Sequence, residues 1–153
     1  MGIGPQPIET PRLLLEPVEP RDVRAEHEIP PVLIERIEAM PDRREWMVRF
    51  MRLRASGERI GHCGFHGPPD VIGRAEIGYT VFPPFRGNGY AQEAARGLAD
   101  WAFARRVDDV YASVRPDNAE SLGVLRALGF LHVGEQEDEE DGRELVFVLR
   151  RKR

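Results

Sequence analysis

Two glycines flank an asparagine in Arg86-Gly87-Asn88-Gly89-Tyr90-Ala91, where a β-patterned run ends and helical spacing begins. A helix start leaves backbone N–H groups without intrahelical partners and carries partial positive charge, so such a turn suits an anion, a phosphate above all. Glycine at 87 and 89 removes side chains that would block a close approach and opens backbone angles that other residues avoid. Small Ala91 keeps the first helical turn near its neighbours. A glycine-rich turn also serves as a plain tight connection, and both readings stand on these residues alone. A P-loop would need Gly-Lys-Ser/Thr where the chain has Gly89-Tyr90-Ala91, and a dinucleotide fingerprint would need a small residue where Gln92 stands.

Further downstream, Asn118, Ser121 and Leu125 share one stripe of a second helical segment, and its polar pair could face a ligand. Equally, Asn118 could support the helix start and Ser121 pack as a small residue. His62 and His66 lie in one strand, where a hydrogen-bonded structural imidazole is the commoner use than a base. Cys63 lacks an activating triad and reads as a buried strand residue, and no His/Cys spacing suggests a metal site. The acidic run at 135–141 reads as a solvated hairpin.

With these residues in view, the chain resembles the GNAT superfamily of N-acetyltransferases. The family's coenzyme loop reads Arg/Gln-x-x-Gly-x-Gly/Ala, and residues 86–91 reproduce it with its usual one-residue variation. A second region matches independently, from Asn118-Ala119-Glu120-Ser121 through Val124-Leu125 to Leu128-Gly129-Phe130. Thr10-Pro11-Arg12-Leu13-Leu14-Leu15 is similar to the opening strand of the RimJ/RimL-type branch, which includes enzymes acetylating ribosomal-protein N-termini.

The resemblance implies acetyl-coenzyme A as cosubstrate, its pyrophosphate at Arg86, Gly87, Asn88, Gly89, Tyr90 and Ala91, with Asn118 a further coenzyme contact. It implies that Val81 and Phe82 meet the pantetheine arm through their backbone, where one strand splays from its neighbour. Free N–H groups there could stabilise the oxyanion formed when an amine attacks the thioester. Many relatives carry at the position of Leu125 a Tyr that protonates the leaving thiolate. This chain has none there, so Ser121 becomes the candidate donor, as in some RimL-like enzymes. Glu76 starts the strand that should line the reaction centre and is the candidate base, acting through water; otherwise it is a strand-edge carboxylate paired with Arg74 or another cation. The acceptor is expected to be an amine, a peptide N-terminus or a small amine such as an amino acid, polyamine or aminoglycoside. A coenzyme-A-binding module without catalysis is the alternative.

These groups need elements to position them. The spacing predicts strands over 12–18, 47–54, 59–66 and 74–82, the last stopped by Pro83-Pro84. Residues 20–45 suggest short helices. From Asn88, Ala91, Ala94, Ala95, Leu98, Trp101 and Ala102 recur at helical period, predicting one long amphipathic helix. A strand over 109–114 follows, then a helix over 117–128 with Asp117 as N-cap, Glu120 completing a capping box and Gly129 ending it. A hairpin about Asp141-Gly142 joins strands at 131–135 and 144–150. The expected fold is α/β of mixed α+β type: a GNAT-like, mostly antiparallel central sheet flanked by helices, splayed at the coenzyme site, in a single domain over 1–153.

The composition agrees. The sequence has 153 residues, 41% hydrophobic and 31% charged, and a domain of this size buries roughly 70% of its unfolded-state surface. A net charge of −4 gives no electrostatic reason to expect nucleic acid. The one basic run, at 150–153, reads as a solvated tail. A lone cysteine forms no intrachain disulfide, and neither a signal-like start nor an apolar run of membrane length is present, so no membrane partner and a cytoplasmic location are expected. The oligomeric state, homodimer included, is left open.

Overall fold

The computed structural model of the chain describes residues 4–19 and 29–152. Among these described residues, eight strands form one sheet in the order β1-β2-β3-β4-β5-β6-β8-β7. They are β1 (Ile8–Glu9), β2 (Leu13–Pro17), β3 (Val48–Leu53), β4 (Arg59–Phe65), β5 (Arg74–Val81), β6 (Asp109–Val114), β7 (Leu131–Asp138) and β8 (Gly142–Arg150). All neighbours run antiparallel except β5 and β6.

Among the described residues, three helices cover the sheet: α1 (Pro31–Ala39), α2 (Tyr90–Ala104) and α3 (Ala119–Ala127). The alanine-rich stripe of α2 buries Ala94, Ala95, Leu98, Ala99 and Ala102. Its small side chains let the helix lie close, so close that a Cβ on Gly97 would meet Thr10 Cγ2 at 2.8 Å. Trp46 packs edge to face against both Phe65, at 5.0 Å, and Trp101, at 4.8 Å, in the same core. A smaller core gathers Ile34 and Ile37 of α1 with Val18, Ile29, Met47, Val48 and Phe50.

Several expected boundaries shift. Residues 20–28, part of the stretch expected to hold short helices, lie outside the described residues; the rest forms α1 and a 3-10 segment, Pro41–Trp46. The long helix starts at Tyr90, with Gly89 as N-cap, rather than at Asn88. Asn118, not Asp117, caps α3, its side chain accepting from the Ser121 N–H at 3.1 Å, so Glu120 falls too early to complete a capping box. Asp117 instead pairs with Arg115. The terminal basic run is not simply solvated: Arg151 reaches Asp108 at 3.1 Å. Arg153 lies outside the described residues.

Candidate active site

Along β5 the hydrogen-bond pattern decides which backbone groups are available. His66 donates to the Glu76 carbonyl and Phe82 to the Ile60 carbonyl, so the even-numbered residues of β5 bond to β4. Ile77, Tyr79 and Val81 therefore turn their N–H and C=O groups the other way, toward β6. Pairing with β6 covers only Arg74, Ala75 and Glu76, while both strands continue beyond it. A splayed gap results, edged by the backbone of residues 77–81. Val81 belongs to that edge, its carbonyl accepting from Arg86 Nε at 2.9 Å. Phe82 does not: its N–H is given to Ile60 and its carbonyl accepts from Phe85, which corrects the expectation of a free backbone there.

The glycine-rich turn lies immediately downstream. A 3-10 turn, Pro83–Phe85, brings the chain out of β5 and ends at Arg86. Gly87 and Gly89 have φ of 81° and 80°, left-handed angles that glycine adopts without cost. Asn88 turns its side chain inward, donating to the carbonyls of Phe85 at 3.0 Å and Arg86 at 3.2 Å. The N-terminus of α2 has no side-chain cap, so its first N–H groups stay open to an anion.

Arg12 braces this turn. Its guanidinium donates to the Asn88 carbonyl at 2.9 Å, pairs with Glu93 at 2.7 Å and lies 4.4 Å over the Tyr90 ring. Burial alone would raise the Glu93 carboxyl, but bonds from Thr10 and Arg12 outweigh it and hold the group below its ordinary range. Sequence reasoning missed the Thr10-Arg12-Glu93 cluster; its one signal was an acidic residue in the first turn of a predicted helix.

Two cavities meet at the gap. One, of about 280 Å³, is walled by Tyr79, Thr80, Val81, Arg86, Ala91, Asn118, Glu120, Ser121 and Val124. The other, of about 260 Å³, runs past His62, His66, Gly78, Ser113 and Glu144, with Leu33 of α1 and Asp141 at its sides. Tyr79, Thr80, Asn118 and Ser121 line both. Ser121 and Asn118 are thus brought to the junction of the two cavities, and Asn118 also serves the cap. The Tyr79 hydroxyl, also missed, donates to the Ser121 carbonyl at 3.4 Å, and burial raises its pKa. Leu125 is fully buried in the core.

Glu76 does not pair with Arg74, which is held by Asp70 at 2.9 Å. Its partner is His66, whose Nδ1 lies 3.2 Å from Glu76 Oε1. Burial pushes the Glu76 carboxyl up, but the His66 bond and charge, with help from Ser113 and Arg36, win and leave it lowered. His62 has no such partner, and burial pushes its pKa down to about 4. Cys63 is buried, and loss of solvation pushes its thiol up to about 12, consistent with an inert strand residue.

The acetyltransferase (GNAT) domain family matches residues 32–131 of this chain. "Uncharacterized N-acetyltransferase p20" of Bacillus licheniformis is 35% identical over 92 residues, covering 60% of this chain and 52% of that protein. "N-alpha-acetyltransferase RimI" of Mycobacterium tuberculosis is 33% identical over 89 residues, covering 56% and 53%. The chain spans about half the length of the curated relatives it matches. Among solved structures, RimJ of Mycobacterium smegmatis in complex with CoA-disulfide superposes with a TM-score of 0.76 at 21% identity, covering 96% of this chain and 88% of that one. A family match running from α1 to the first residue of β7 takes in the splayed strands, the glycine-rich turn and the capped α3, and by it this chain belongs to the acetyltransferase (GNAT) family.

Proposed function

We propose that the chain acts as an acetyl-coenzyme A-dependent N-acetyltransferase, passing acetyl directly to a primary amine in a ternary complex. The observation that carries this reading is the abutment of two cavities at the splayed gap, one leading to the uncapped N-terminus of α2 and the other to a polar pocket. Acetyl-coenzyme A would lay its pyrophosphate on residues 86–91 and its arm past Val81 and Asn118, within the cavity shared by Tyr79 and Ser121. Phe82 would contribute its side chain or framework only, since its N–H and carbonyl are taken. An N–H on the open edge of β5, at Tyr79 or Val81, would hold the oxyanion. Ser121, or a water it orients, would return a proton to the thiolate.

Among the described residues no activated nucleophile supports an acetyl-enzyme: Cys63 is buried with a raised pKa. Direct attack therefore fits best, with proximity of two bound substrates as its main source of rate. The acidic groups about the acceptor cavity, Asp141 and Glu144, suit a cationic amine. The likeness to RimI, named an N-alpha-acetyltransferase, favours a peptide or protein N-terminus, and a RimJ/RimL-type role, over a small amine. The single-domain, cytoplasmic reading accompanies this proposal.

Thiol release measured with a panel of N-terminal peptides and small amines tests it. Transfer to peptide N-termini is the expected result. Coenzyme binding without transfer to any acceptor would leave the chain a coenzyme-binding module.

A further inference from the structure

We propose that His66, rather than Glu76, takes the proton from the acceptor ammonium, with Glu76 as the positioning carboxylate behind it. The inference rests on the N-acetyltransferase reading and alters its chemistry. Its first support is access. His66 lines the acceptor cavity, whereas Glu76 is not among the residues of its wall. An amine in that cavity meets the imidazole before the carboxylate.

Its second support is the proton inventory. A carboxylate only accepts, so the 3.2 Å contact between Glu76 Oε1 and His66 Nδ1 requires the hydrogen on Nδ1. Nε2 then carries the free lone pair, the arrangement in which a carboxylate orients an imidazole base. Its third support is placement. A Cβ on Gly78 would lie 2.7 Å from His66 Nε2, so the ring rests directly on the strand, in space that a side chain at 78 would take from it. Gly78 lies just past Glu76, the last β5 residue paired with β6, so Nε2 sits at the mouth of the gap.

Glu76 is held from its other side as well. Gln136 Nε2 donates at 3.0 Å to both Ser113 Oγ and Glu144 Oε1, which leaves the Ser113 proton for Glu76. The chain His66–Glu76–Ser113–Gln136–Glu144 thus crosses from the residue just past β4 to β8 and fixes the carboxylate as an acceptor of two bonds. A carboxyl already lowered below its ordinary range is a poor base for an ammonium ion.

The step balances. The ammonium R–NH₃⁺ gives one proton to Nε2, and the freed amine lone pair forms the C–N bond as the thioester C–S bond breaks. The nitrogen's second excess proton ends on the thiolate, giving amide and thiol, and the imidazolium releases its proton to water. Titratable and charged groups around the pair are His62 from β4, Arg74 from β5, Tyr111 from β6, Arg36 from α1 and Glu144 from β8.

The test combines ring-nitrogen NMR of the free protein with pH profiles of kcat/KM for the wild type, His66→Gln and Glu76→Gln, using an acceptor peptide and acetyl-coenzyme A. NMR should show His66 as the Nδ1–H tautomer; the Nε2–H tautomer would overturn the proposal whatever the activity. His66→Gln should lose about 10²–10⁴-fold in kcat and its acidic limb, with coenzyme affinity by calorimetry unchanged. Glu76→Gln should lose less, about 10-fold to 100-fold, and retain an acidic limb, because the imidazole is still present but no longer oriented by its carboxylate. A surviving limb in His66→Gln and its loss in Glu76→Gln would return the base role to Glu76 while acetyl transfer stands. Absence of transfer by the wild type to any amine would instead strike the functional reading itself, and the base with it.

Discussion

Arg12 and Glu93, 81 positions apart in sequence, form a 2.7 Å ion pair that fastens the chain ahead of β2 to the first turn of α2. Because the same guanidinium holds the Asn88 carbonyl, the pair fixes the shape of the glycine-rich turn proposed to hold the coenzyme, without belonging to it. Arg12→Ala should therefore weaken acetyl-coenzyme A binding about tenfold, roughly 1.4 kcal/mol. Arg12→Lys should recover only part of it, since an ammonium lacks the planar fork that serves Glu93 and Asn88 together. Calorimetric titration of the three proteins decides; equal affinities would remove the brace.

Gly78→Ala should place a methyl group against His66 Nε2 and push the ring off the strand. The expected outcome is a fall in kcat of at least tenfold with unchanged coenzyme affinity, a split that a general loss of fold would not produce. Steady-state kinetics beside calorimetry reads it directly. Full activity would mean that the ring's position is immaterial.

Proton return to the thiolate has two candidates at the cavity junction, Ser121 and Tyr79. Ser121→Ala should lower kcat only a few-fold, because water can substitute. Tyr79→Phe keeps the ring and removes the hydroxyl, so a larger loss there than in Ser121→Ala would transfer the donor role to the strand. Single-turnover rates at several pH values separate the two.

Stability should depend on pH through His62. Burial depresses its pKa from 6.5 to about 4, so between those values the unfolded chain binds a proton that the folded chain refuses. The contribution is fully present above pH 6.5 and is lost as pH falls to about 4, on the order of 3 kcal/mol. Glu76 and Glu93, both lowered, add a separate loss that begins below their ordinary value of 4.5. Urea midpoints of His62→Gln should lack the slope across the upper window and keep the lower one.

If the acidic hairpin steers cationic acceptors, replacing Glu137, Glu139 and Glu140 with Gln should lower kcat/KM and flatten its salt dependence, since such attraction is screened over about 8 Å at physiological ionic strength. Asp138 must stay, because its Oδ1 accepts from the N–H groups of Glu140 and Asp141 and shapes the turn. An unaltered salt dependence would leave the run a solvated hairpin.

The elements of the site were legible wherever the information is local. Alternation ending at Pro83 marked β5, the alanine stripe marked α2, and Gly87 and Gly89 marked a turn whose left-handed angles are now visible. The cap of α3 was misread by one residue because Asp117 and Asn118 are both good N-caps, and only the backbone path selects the one whose oxygen reaches Ser121. Phe82 was misread because nothing in its neighbourhood says that Ile60 will claim its N–H.

Fold class, family and the place of the glycine-rich turn were determined by the sequence alone, since propensity, periodicity and a short motif are properties of adjacent residues. Tertiary structure decided which groups stand free and which partners meet. The β4–β5 register sets Val81 toward the gap and Phe82 away from it; the same register brings His66 to Glu76 and leaves Arg74 to Asp70. A strand's side chains and hydrogen bonds alternate with period two, so a shift of one residue in pairing would reverse every one of these assignments, and no run of residues read singly contains that choice.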